Sequence, residues 1–266
     1  MSGTAFSEFP AFYERHFDVI RAANPTLLRE AYRLRYQVYC VENPFENPEQ
    51  QIGECETDDD DDRSIHTLLL HRRTGEIAGT SRVILPDQRN FRPLPMATLL
   101  HGGDRRRFDG FPLAHTAELS RFAISKQFRR RRGEEHYADE GYGDAASIEI
   151  ENEKRLMPFI TLGLIRGMFG ICVEYGVTHL AAVMEPALIR ILHRFGLDFK
   201  HLGGILNHHG LRQPCYALLD DLIQHSREND SLVWQYAMEP ILLEYNDARL
   251  RAMAEPSRSA LVRSAV

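Results

Sequence analysis

The sequence predicts an α/β chain of the α+β type, in which a central, mixed but mostly antiparallel sheet is flanked by helices. Three observations predict it. Two pairs of short apolar segments are joined by polar turns at 73–76 and 207–210, which is typical of antiparallel hairpins. A further strand pattern, 115–125, lies between these hairpins. The strongest helical periodicity of the chain, 151–175, follows that strand.

The composition is that of an ordinary globular chain. Its 266 residues are 43% hydrophobic and 26% charged with a net charge of -6, which suits one large domain or two small ones. No apolar run approaches the roughly 20 residues that span a bilayer, and the N-terminus lacks a signal pattern, so a cytoplasmic protein is expected. Net acidity argues against general nucleic-acid binding. Four scattered cysteines indicate reduced thiols and no zinc framework: Cys40, Cys55, Cys172 and Cys215.

The N-terminal quarter predicts two helices and an acidic loop. Residues 6–17 are rich in aromatic side chains and predict a short helix, and a second helix opens at Pro25 and ends before Pro44. Arg35 lies near the apolar stripe of that helix and is the better site candidate, whereas Arg33 fits a solvated face. The loop 44–63 contains the run Asp58–Asp62. It is either a solvated loop or supplies one or two carboxylates to a pocket, and it lacks the pattern of a calcium-binding loop.

The next two predicted strands form a hairpin, and the second of them contains a charged residue, Arg82. Residues 65–72 and 77–85 read as strands around a turn, and Arg82 stands in the otherwise apolar second strand. A buried guanidinium needs an anionic partner, and either Glu118 or an aspartate of the acidic loop can supply it. The segment 87–112 then predicts a long connection of the kind that is often functional.

The central strand, 115–125, carries both a carboxylate and a guanidinium. Alternation places Ala117, Leu119, Arg121 and Ala123 on one face and Glu118, Ser120 and Phe122 on the other. The basic run Arg129–Arg132 follows at once. An internal carboxylate before a cationic loop indicates a base beside an anion site, and the alternative is an edge strand with solvated charges.

The C-terminal half predicts a helix at 151–175, a buried strand at 177–184 and a helix started by Pro186. Strands at 199–206 and 214–219 follow, then a further helix from Leu222. Three glycines inside the first of these helices, Gly163, Gly167 and Gly170, suggest close packing on a sheet or ligand. The predicted organisation is a helical extension at 1–24, one α+β domain at 25–220 and a helical segment with a tail at 221–266.

Four short motifs, in this order, resemble those of a known enzyme class. They are Arg35-Tyr36-Gln37-Val38-Tyr39, the Asp58–Asp62 run followed by Ser64-x-His66, Gly79-Thr80-Ser81-Arg82, and Glu118-Leu119-Ser120-Arg121-Phe122. The chain resembles the GCN5-related N-acetyltransferases in element order and the acyl-homoserine-lactone synthases in these motifs. It is closer to the N-acyl amino acid synthases. It is most similar to the acyltransferase group associated with PEP-CTERM/exosortase systems, through Leu34-Arg35-Tyr36-x-Val38-Tyr39-Cys40-x-Glu42 and Glu118-x-Ser120-Arg121-Phe122-Ala123.

The resemblance implies transfer of an acyl group from a thioester to an amine. It implies a catalytic set and a substrate-binding set, with no metal and no permanently bound cofactor. The catalytic set is Glu118 as base, with Arg121 and, as a less certain second base, His66. The substrate-binding set is Arg35, Tyr39, Asp58, Asp61, Arg82, Ser120 and Phe122. Arg35, Arg82 and Arg121 are expected to hold an acceptor carboxylate, and one aspartate of the acidic loop to orient the acceptor amine.

The donor is expected to be an acyl carrier protein. Coenzyme-A-dependent members of the class have a glycine-rich loop whose backbone amides bind pyrophosphate, and the second glycine is absent here from its expected place. Arg129, Arg130, Arg131 and Arg132 occupy that region and suit an acidic carrier protein, with Arg105–Arg107 as a possible addition. Acyl-coenzyme A remains the alternative co-substrate, and a solvated or RNA-attracting loop is the alternative role for the arginine run.

Three functions are therefore compared. The leading hypothesis is an N-acyltransferase that joins a long acyl chain to an amino acid or a related small amine. The second is a coenzyme-A-dependent acetyltransferase. The third is a non-catalytic module that binds acyl groups or a carrier protein. Phe159, Ile160, Leu164 and Met168 can line an acyl channel, and core packing explains them equally well.

Overall fold

The structure, a computed structural model, describes residues 9–87, 92–129, 159–208, 210–229 and 231–254. Within these ranges eight strands form one sheet in the order β1-β2-β3-β4-β5-β8-β6, and β7 also pairs with β8. The strands are β1 Phe17–Arg21, β2 Ser64–His71, β3 Ile77–Ile84, β4 Thr116–Ile124, β5 His179–Met184, β6 Lys200–His201, β7 Leu206–Asn207 and β8 Leu211–Leu218. The predicted mixed, mostly antiparallel sheet is confirmed.

The helices flank this sheet. They are α1 Phe9–His16, α2 Pro25–Tyr36, α3 Met96–Leu99, α4 Gly102–Asp109, α5 Lys126–Arg129, α6 Thr161–Glu174, α7 Pro186–Arg194, α8 Leu219–Glu228 and α9 Glu239–Ala254. A π-helical turn, Gln37–Glu42, extends α2, and a second one, Trp234–Met238, precedes α9. Helices α2 and α7 begin at Pro25 and Pro186, as the sequence predicts. Proline suits this position because a backbone N–H in the first turn of a helix has no hydrogen-bond partner within the helix.

The pairing of β4 with β5 is parallel and stops halfway along β4. Thr116 to Leu119 pair with His179 to Ala182, whereas β4 continues to Ile124 without β5 beside it. Every other described strand pair is antiparallel. The two central strands therefore separate beyond Leu119, and a gap opens in the middle of the sheet.

Helix α6 packs closely on one face of the sheet. An added Cβ at Gly163 would lie 2.6 Å from Leu69 Cδ1, and one at Gly167 would lie 2.2 Å from Thr67 Cγ2. The predicted close packing is thus confirmed at these two glycines. At Gly170 an added Cβ would lie at an ordinary 3.4 Å from Ile241. The largest apolar cluster of the described chain forms on this face, between α6 and the sheet.

Strand β4 contains a bulge that corrects the predicted faces. Thr80 pairs with Ala123 and Arg82 with Ser120, so β4 has one residue more than β3 between these pairs. Arg121 adopts φ +49°, which places it on the same face as Ser120. Ala117 and Leu119 pack on the α6 side, whereas Ala123 packs with residues of α2. The prediction that Ala117, Leu119, Arg121 and Ala123 share a face is therefore wrong.

Three other segments differ from the sequence-based expectation. The 1–24 segment supplies the edge strand β1 as well as α1, so part of it belongs to the sheet. The long connection 87–112 contains α3 and α4, which cover a second apolar cluster on the α2 side of the sheet. The strand expected at 199–206 consists of the two short strands β6 and β7, because both pair with different parts of β8.

Close approach of α6 to the sheet generates a stability prediction. Gly167→Ala is expected to lower the free energy of unfolding by about 1–3 kcal/mol, because the new methyl group meets the buried, β-branched Thr67. Gly170→Ala is the matched control in the same helix, and it is expected to be neutral or to stabilise by up to about 1 kcal/mol through helix propensity. Urea unfolding of both variants measures this difference. Equal effects of the two substitutions would contradict the packing argument.

Candidate active site

Three arginines and three carboxylates form a closed ring on the α2 side of the sheet. We call it the charged ring, and its members in order are Arg35, Glu56, Arg121, Asp58, Arg82 and Asp61. Each carboxylate accepts hydrogen bonds from two guanidinium groups, and each guanidinium donates to two carboxylates of the ring. Positive and negative charges therefore alternate and balance around the ring.

Arg35 is the most deeply buried member of the ring. Its Nε donates to Glu56 Oε2 at 2.5 Å and its Nη1 donates to Asp61 Oδ1 at 2.6 Å. The Arg35 side chain is 0% exposed and that of Glu56 is 2% exposed. Burial of an unpaired charge is very costly, so these two contacts are needed for Arg35 to occupy the interior.

Arg82 and Arg121 close the ring on the two central strands. Arg82 Nη1 donates to Asp58 Oδ1 at 2.5 Å and to Asp61 Oδ1 at 2.7 Å, while its Nε donates to Ser120 Oγ at 2.9 Å. Arg121 Nη2 donates to Glu56 Oε1 at 2.8 Å and to Asp58 Oδ2 at 2.9 Å. Of the two partners predicted for Arg82, the structure places the aspartates there.

The acidic loop reaches the ring because its own side chains fix its backbone. Asp58 caps the 3-10 turn Asp59–Arg63 by accepting from the Asp60 N–H, and Asp61 Oδ2 accepts from the Asp58 N–H. The other oxygens of these two side chains accept from the ring arginines: Asp58 Oδ2 from Arg121 and Asp61 Oδ1 from Arg35. The bulge in β4 completes the arrangement, since it turns Arg121 to the face where the loop lies.

The ring shifts the pKa values of its carboxylates downward. Burial alone raises the pKa of Glu56, but the charges of Arg35 and Arg121 and their hydrogen bonds outweigh it and hold that pKa below its usual range. Burial likewise opposes the shift at Asp61, where the nearby His66 ring and the contact with Arg35 lower the pKa well below its usual range. The ring carboxylates are therefore ionised at neutral pH.

Glu118 behaves in the opposite way because it stands outside the ring. Burial raises its pKa to about 7, opposed by a hydrogen bond from the Met96 backbone and by the Arg82 charge. The Met96 N–H donates to Glu118 Oε2 at 2.8 Å, and Oε1 accepts no hydrogen bond from the described residues. A carboxyl group with a pKa near neutrality can take a proton from a substrate and release it again, which suits a general base.

A cavity of about 740 Å³ runs from the charged ring through the gap between β4 and β5. Its outer part is polar and is lined by Glu46, Asp58, Arg82, Glu118, Arg121 and Arg212. Its inner part is apolar and is lined from α6 by Ile165, Met168 and Phe169, and from α7 by Leu188, Ile191 and Leu192. The cavity therefore joins a titratable carboxylate to an apolar channel.

Seven of the predicted site residues line this cavity. They are Tyr39, Asp58, Arg82, Glu118, Ser120, Arg121 and Phe122. Tyr39 lies in the π-helical turn after α2, where its hydroxyl donates to the Phe122 carbonyl at 3.4 Å and its ring lies 5.6 Å from the Arg121 guanidinium carbon. The structure thus brings residues from four separate segments of the sequence to one site.

Three predicted site residues do not reach the cavity. Arg35 and His66 are 0% exposed, and Asp61 faces Arg35 and Arg82 inside the ring. Arg35 donates to Glu56 and Asp61, so its predicted role as a ligand for an acceptor carboxylate would require access that this burial does not give. His66 Nε2 lies 3.4 Å from Asp61 Oδ1 and burial lowers the His66 pKa, so its predicted role as a second base would likewise require access to the cavity.

The predicted donor and channel residues are only partly described. Arg130, Arg131 and Arg132 and the side chain of Arg129 lie outside the described residues. Of the four apolar residues proposed for a channel, Met168 lines the cavity. Leu164 instead approaches Gly79 of β3, and Ile160 accepts a hydrogen bond from Tyr13 through its backbone carbonyl.

Sequence reasoning missed two functional candidates. Glu56 bridges Arg35 and Arg121 in the ring, and Arg212 lines the cavity from β8. A signal for Glu56 was available, because three arginines in apolar elements require several buried carboxylates and Glu56 lies two residues before Asp58. No local signal distinguishes Arg212, since it follows a polar hairpin turn where solvated arginines are common.

The comparisons agree with an acyltransferase fold. Residues 34–138 match the acetyltransferase (GNAT) domain. The chain is 20% identical to the AHL synthase LasI, covering 76% of this chain and 89% of that one with a TM-score of 0.51. It is 19% identical to TofI, crystallised with an inhibitor and MTA, covering 81% and 97% with a TM-score of 0.54. The fold is therefore GNAT-like.

A third similar structure is FeeM, an N-acyl amino acid synthase from uncultured soil microbes. It is 13% identical, and the match covers 79% of this chain and 93% of that one with a TM-score of 0.48. No curated protein sequence matches the chain. The domain match together with the GNAT-like fold supports an acyltransferase.

Two further findings concern the described ranges alone. No group of three or more potential metal ligands occurs in them. None of their helices combines the length and apolar character needed to cross a membrane.

The charged ring generates a mutational prediction. Arg35→Met is expected to lower the free energy of unfolding by about 3–5 kcal/mol, because Glu56 and Asp61 each lose a buried partner. Arg33→Met is the matched control in the same helix, since Arg33 is exposed and pairs only with Glu30, and less than about 1 kcal/mol is expected. Urea unfolding at pH 7 measures both. A loss at Arg35 no greater than at Arg33 would refute the structural importance of the ring.

The raised pKa of Glu118 generates a pH prediction. The native carboxyl group binds its proton more tightly than the unfolded one, so the native state loses stability as pH rises from about 4.5 to about 7. Glu118→Gln removes this titration, and its unfolding free energy relative to the unaltered protein is expected to rise by about 3 kcal/mol across that window and to stay constant above it. Thermal unfolding between pH 4 and pH 8 measures the difference. A pH-independent difference would show that Glu118 titrates normally.

Proposed function

We propose that the protein is an N-acyltransferase that moves a long acyl chain from an acyl thioester to the amine of an amino acid or a related small molecule. One observation carries the proposal: a single cavity joins Glu118, whose pKa is near 7, to an apolar channel through the gap between β4 and β5. A base and an apolar binding site in one cavity suit a reaction between an amine and a long-chain acyl donor.

The gap in the sheet suits the thioester carbonyl. Beyond Leu119 the edge of β4 has no strand partner on the β5 side among the described residues, so backbone N–H groups there are available as donors. Such donors stabilise the negative charge that develops on a carbonyl oxygen during acyl transfer. The alkyl chain then extends between α6 and α7, where Ile165, Met168 and Ile191 line the channel.

The reaction requires two proton transfers, one before the amine attacks the thioester and one when the tetrahedral intermediate collapses. Glu118, directly or through a water molecule, removes a proton from the acceptor ammonium, and the amine nitrogen attacks the carbonyl carbon to form the C–N bond. The tetrahedral intermediate collapses as the C–S bond breaks, and the second proton of the nitrogen passes to the leaving sulfur, which is released as a thiol. The products are an N-acyl compound and the free thiol of the donor.

The polar part of the cavity suits an ammonium group. Asp58 is the most exposed carboxylate of the ring, and Glu46 Oε1 lies 3.8 Å from Arg121 Nη2 at the same mouth. Both line the cavity together with Glu118. An acceptor ammonium is therefore attracted to this region before it loses its proton.

An acyl carrier protein is the donor that the sequence favours. The glycine pattern for binding pyrophosphate is incomplete, and the basic run 129–132 comes shortly after β4, which ends at Ile124. The motifs around Arg35 and Glu118 also support a place in the acyltransferase group associated with PEP-CTERM/exosortase systems. The second candidate is a coenzyme-A-dependent acetyltransferase, favoured by the description of the matched domain.

The test is detection of product by mass spectrometry. The full chain is incubated with long-chain acyl carrier protein, long-chain acyl-coenzyme A or acetyl-coenzyme A and a pool of amino acids. An N-acyl amino acid formed from the carrier-protein donor is expected. Its rate should increase with pH around the Glu118 pKa of about 7, and Glu118→Gln should lower it by about 100-fold or more.

Glu174→Gln is the control variant, because Glu174 is exposed and pairs with Arg21 away from the cavity, and its rate should be unchanged. Product from acetyl-coenzyme A alone would replace the proposal with the acetyltransferase. No product from any donor, with carrier protein still bound, would identify a binding module.

A further inference from the structure

The acceptor's carboxylate needs a cation that the charged ring does not provide. This inference rests on the proposed function. Arg35 has no exposed surface, and Arg82 and Arg121 each use two nitrogens for partners inside the protein. The ring charges also balance one another, so a ligand carboxylate entering there would meet Asp58 as well as the arginines.

Arg212 is differently placed, because no residue in the described ranges accepts from two adjacent donor groups of its guanidinium. Its Nη1 donates to the Leu211 carbonyl at 3.1 Å and lies 3.2 Å from Glu185 Oε1. Its Nε and Nη2 have no hydrogen-bond partner among the described residues. The side chain is only 13% exposed and lines the cavity. An Nε–Nη2 pair is one of the edges with which arginine binds a carboxylate through two parallel hydrogen bonds.

The surroundings of Arg212 hold it in place without neutralising it strongly. Its guanidinium carbon lies 5.2 Å from the centre of the Phe45 ring, which fixes the plane of the group. Gly210 leaves room beside it, since an added Cβ there would lie 3.3 Å from Nη1. Glu185 is 50% exposed, so water screens this ion pair and a ligand can compete with it.

The groups for the two charges of an amino acid are adjacent at the cavity mouth. Phe45 supports the Arg212 guanidinium, and the next residue, Glu46, places its carboxylate beside Arg121. Burial raises the pKa of the Tyr39 phenol, while the charges of Arg121, Arg35 and Arg212 all oppose this shift. Arg212 is therefore, like Arg121, close enough to Tyr39 for its charge to affect the pKa of that phenol.

We propose that Arg212 binds the carboxylate of the acceptor and so selects a zwitterionic α-amino acid over a simple amine. The Nε and Nη2 groups of Arg212 bind the two carboxylate oxygens, and the ammonium group points to Glu46 and Asp58. Arg212 is then a substrate-binding residue that determines acceptor specificity, whereas Arg82 and Arg121 position the walls of the site.

The test compares amino acids with the amines that lack only the carboxylate. The pairs are leucine with 3-methylbutylamine, phenylalanine with 2-phenylethylamine, and tyrosine with tyramine, each with the acyl donor that supports turnover. In the unaltered protein kcat/KM is expected to favour the amino acid. Arg212→Met should reduce that preference by about 10- to 100-fold, the usual range for a charge-assisted pair, while kcat/KM for the amine stays within about threefold.

Two further variants separate binding from folding. Arg212→Lys should keep part of the preference, because it retains the charge and loses the paired donors. Glu185→Gln should lower KM for the amino acid and leave the amine unaffected, because it removes the competing anion. Equal losses for amine and amino acid in Arg212→Met, or a preference of the unaltered protein for amines, would overturn the inference.

The two proposals fail in distinguishable ways. If no pair gives product, the proposed acyl transfer has failed, and calorimetric titration of the same pairs still tests Arg212. Binding of the amino acid that is lost in Arg212→Met would support the inference without catalysis. Equal binding by both proteins would overturn it.

Discussion

The charged ring is the interaction on which the rest of the site depends. Taking a guanidinium such as Arg35 out of water costs several kcal/mol, and only close carboxylates on more than one side can offset that cost. The ring meets this requirement because each of its carboxylates pairs with more than one arginine and each arginine with more than one carboxylate. It also joins α2, the acidic loop, β3 and β4 through side-chain hydrogen bonds. The wall of the cavity is therefore rigid and electrically balanced.

This balance explains why Glu118 and the ring carboxylates titrate differently. Glu118 and Glu56 are buried and Asp58 and Asp61 are partly buried, and this burial by itself raises the pKa of each. The ring carboxylates have arginines in direct contact that outweigh burial, whereas Glu118 contacts the Met96 N–H and none of the arginines in the described ranges. Two irregularities of β4, its bulge and its separation from β5, place the ring and Glu118 side by side at the cavity. The bulge turns Arg121 into the ring, and the separation from β5 opens the cavity beside Glu118. Structural charge and reactive charge thus occupy neighbouring positions on one strand.

In the proposed reaction, the two parts of the cavity would hold substrates of opposite character. Its inner part lies between α6 and α7 and offers apolar surface to a chain, while its outer part offers carboxylates and the Arg212 guanidinium to a charged acceptor. These parts meet where β4 and β5 separate, so the carbonyl group of a thioester would lie between them. Close packing of α6 at Gly163 and Gly167 holds the helix against the sheet on the far side of the channel. Packing far from the polar groups therefore sets the shape of the site.

The sequence by itself determined most of the element order, the central strand and seven of the polar and aromatic residues that line the cavity, because periodicity, proline positions and charges inside apolar strands are local properties. It also indicated that Arg82 needs an acidic partner. Tertiary structure alone decided which charges meet: the bulge at Arg121 breaks the alternation on which face assignments rest, and Glu56 and Arg212 come from loops and strands distant in sequence. It likewise decided that Arg35 and His66 are buried behind the site. Periodicity specifies which residues turn inward, whereas the partner of an inward charge depends on contacts between segments that only the folded chain brings together.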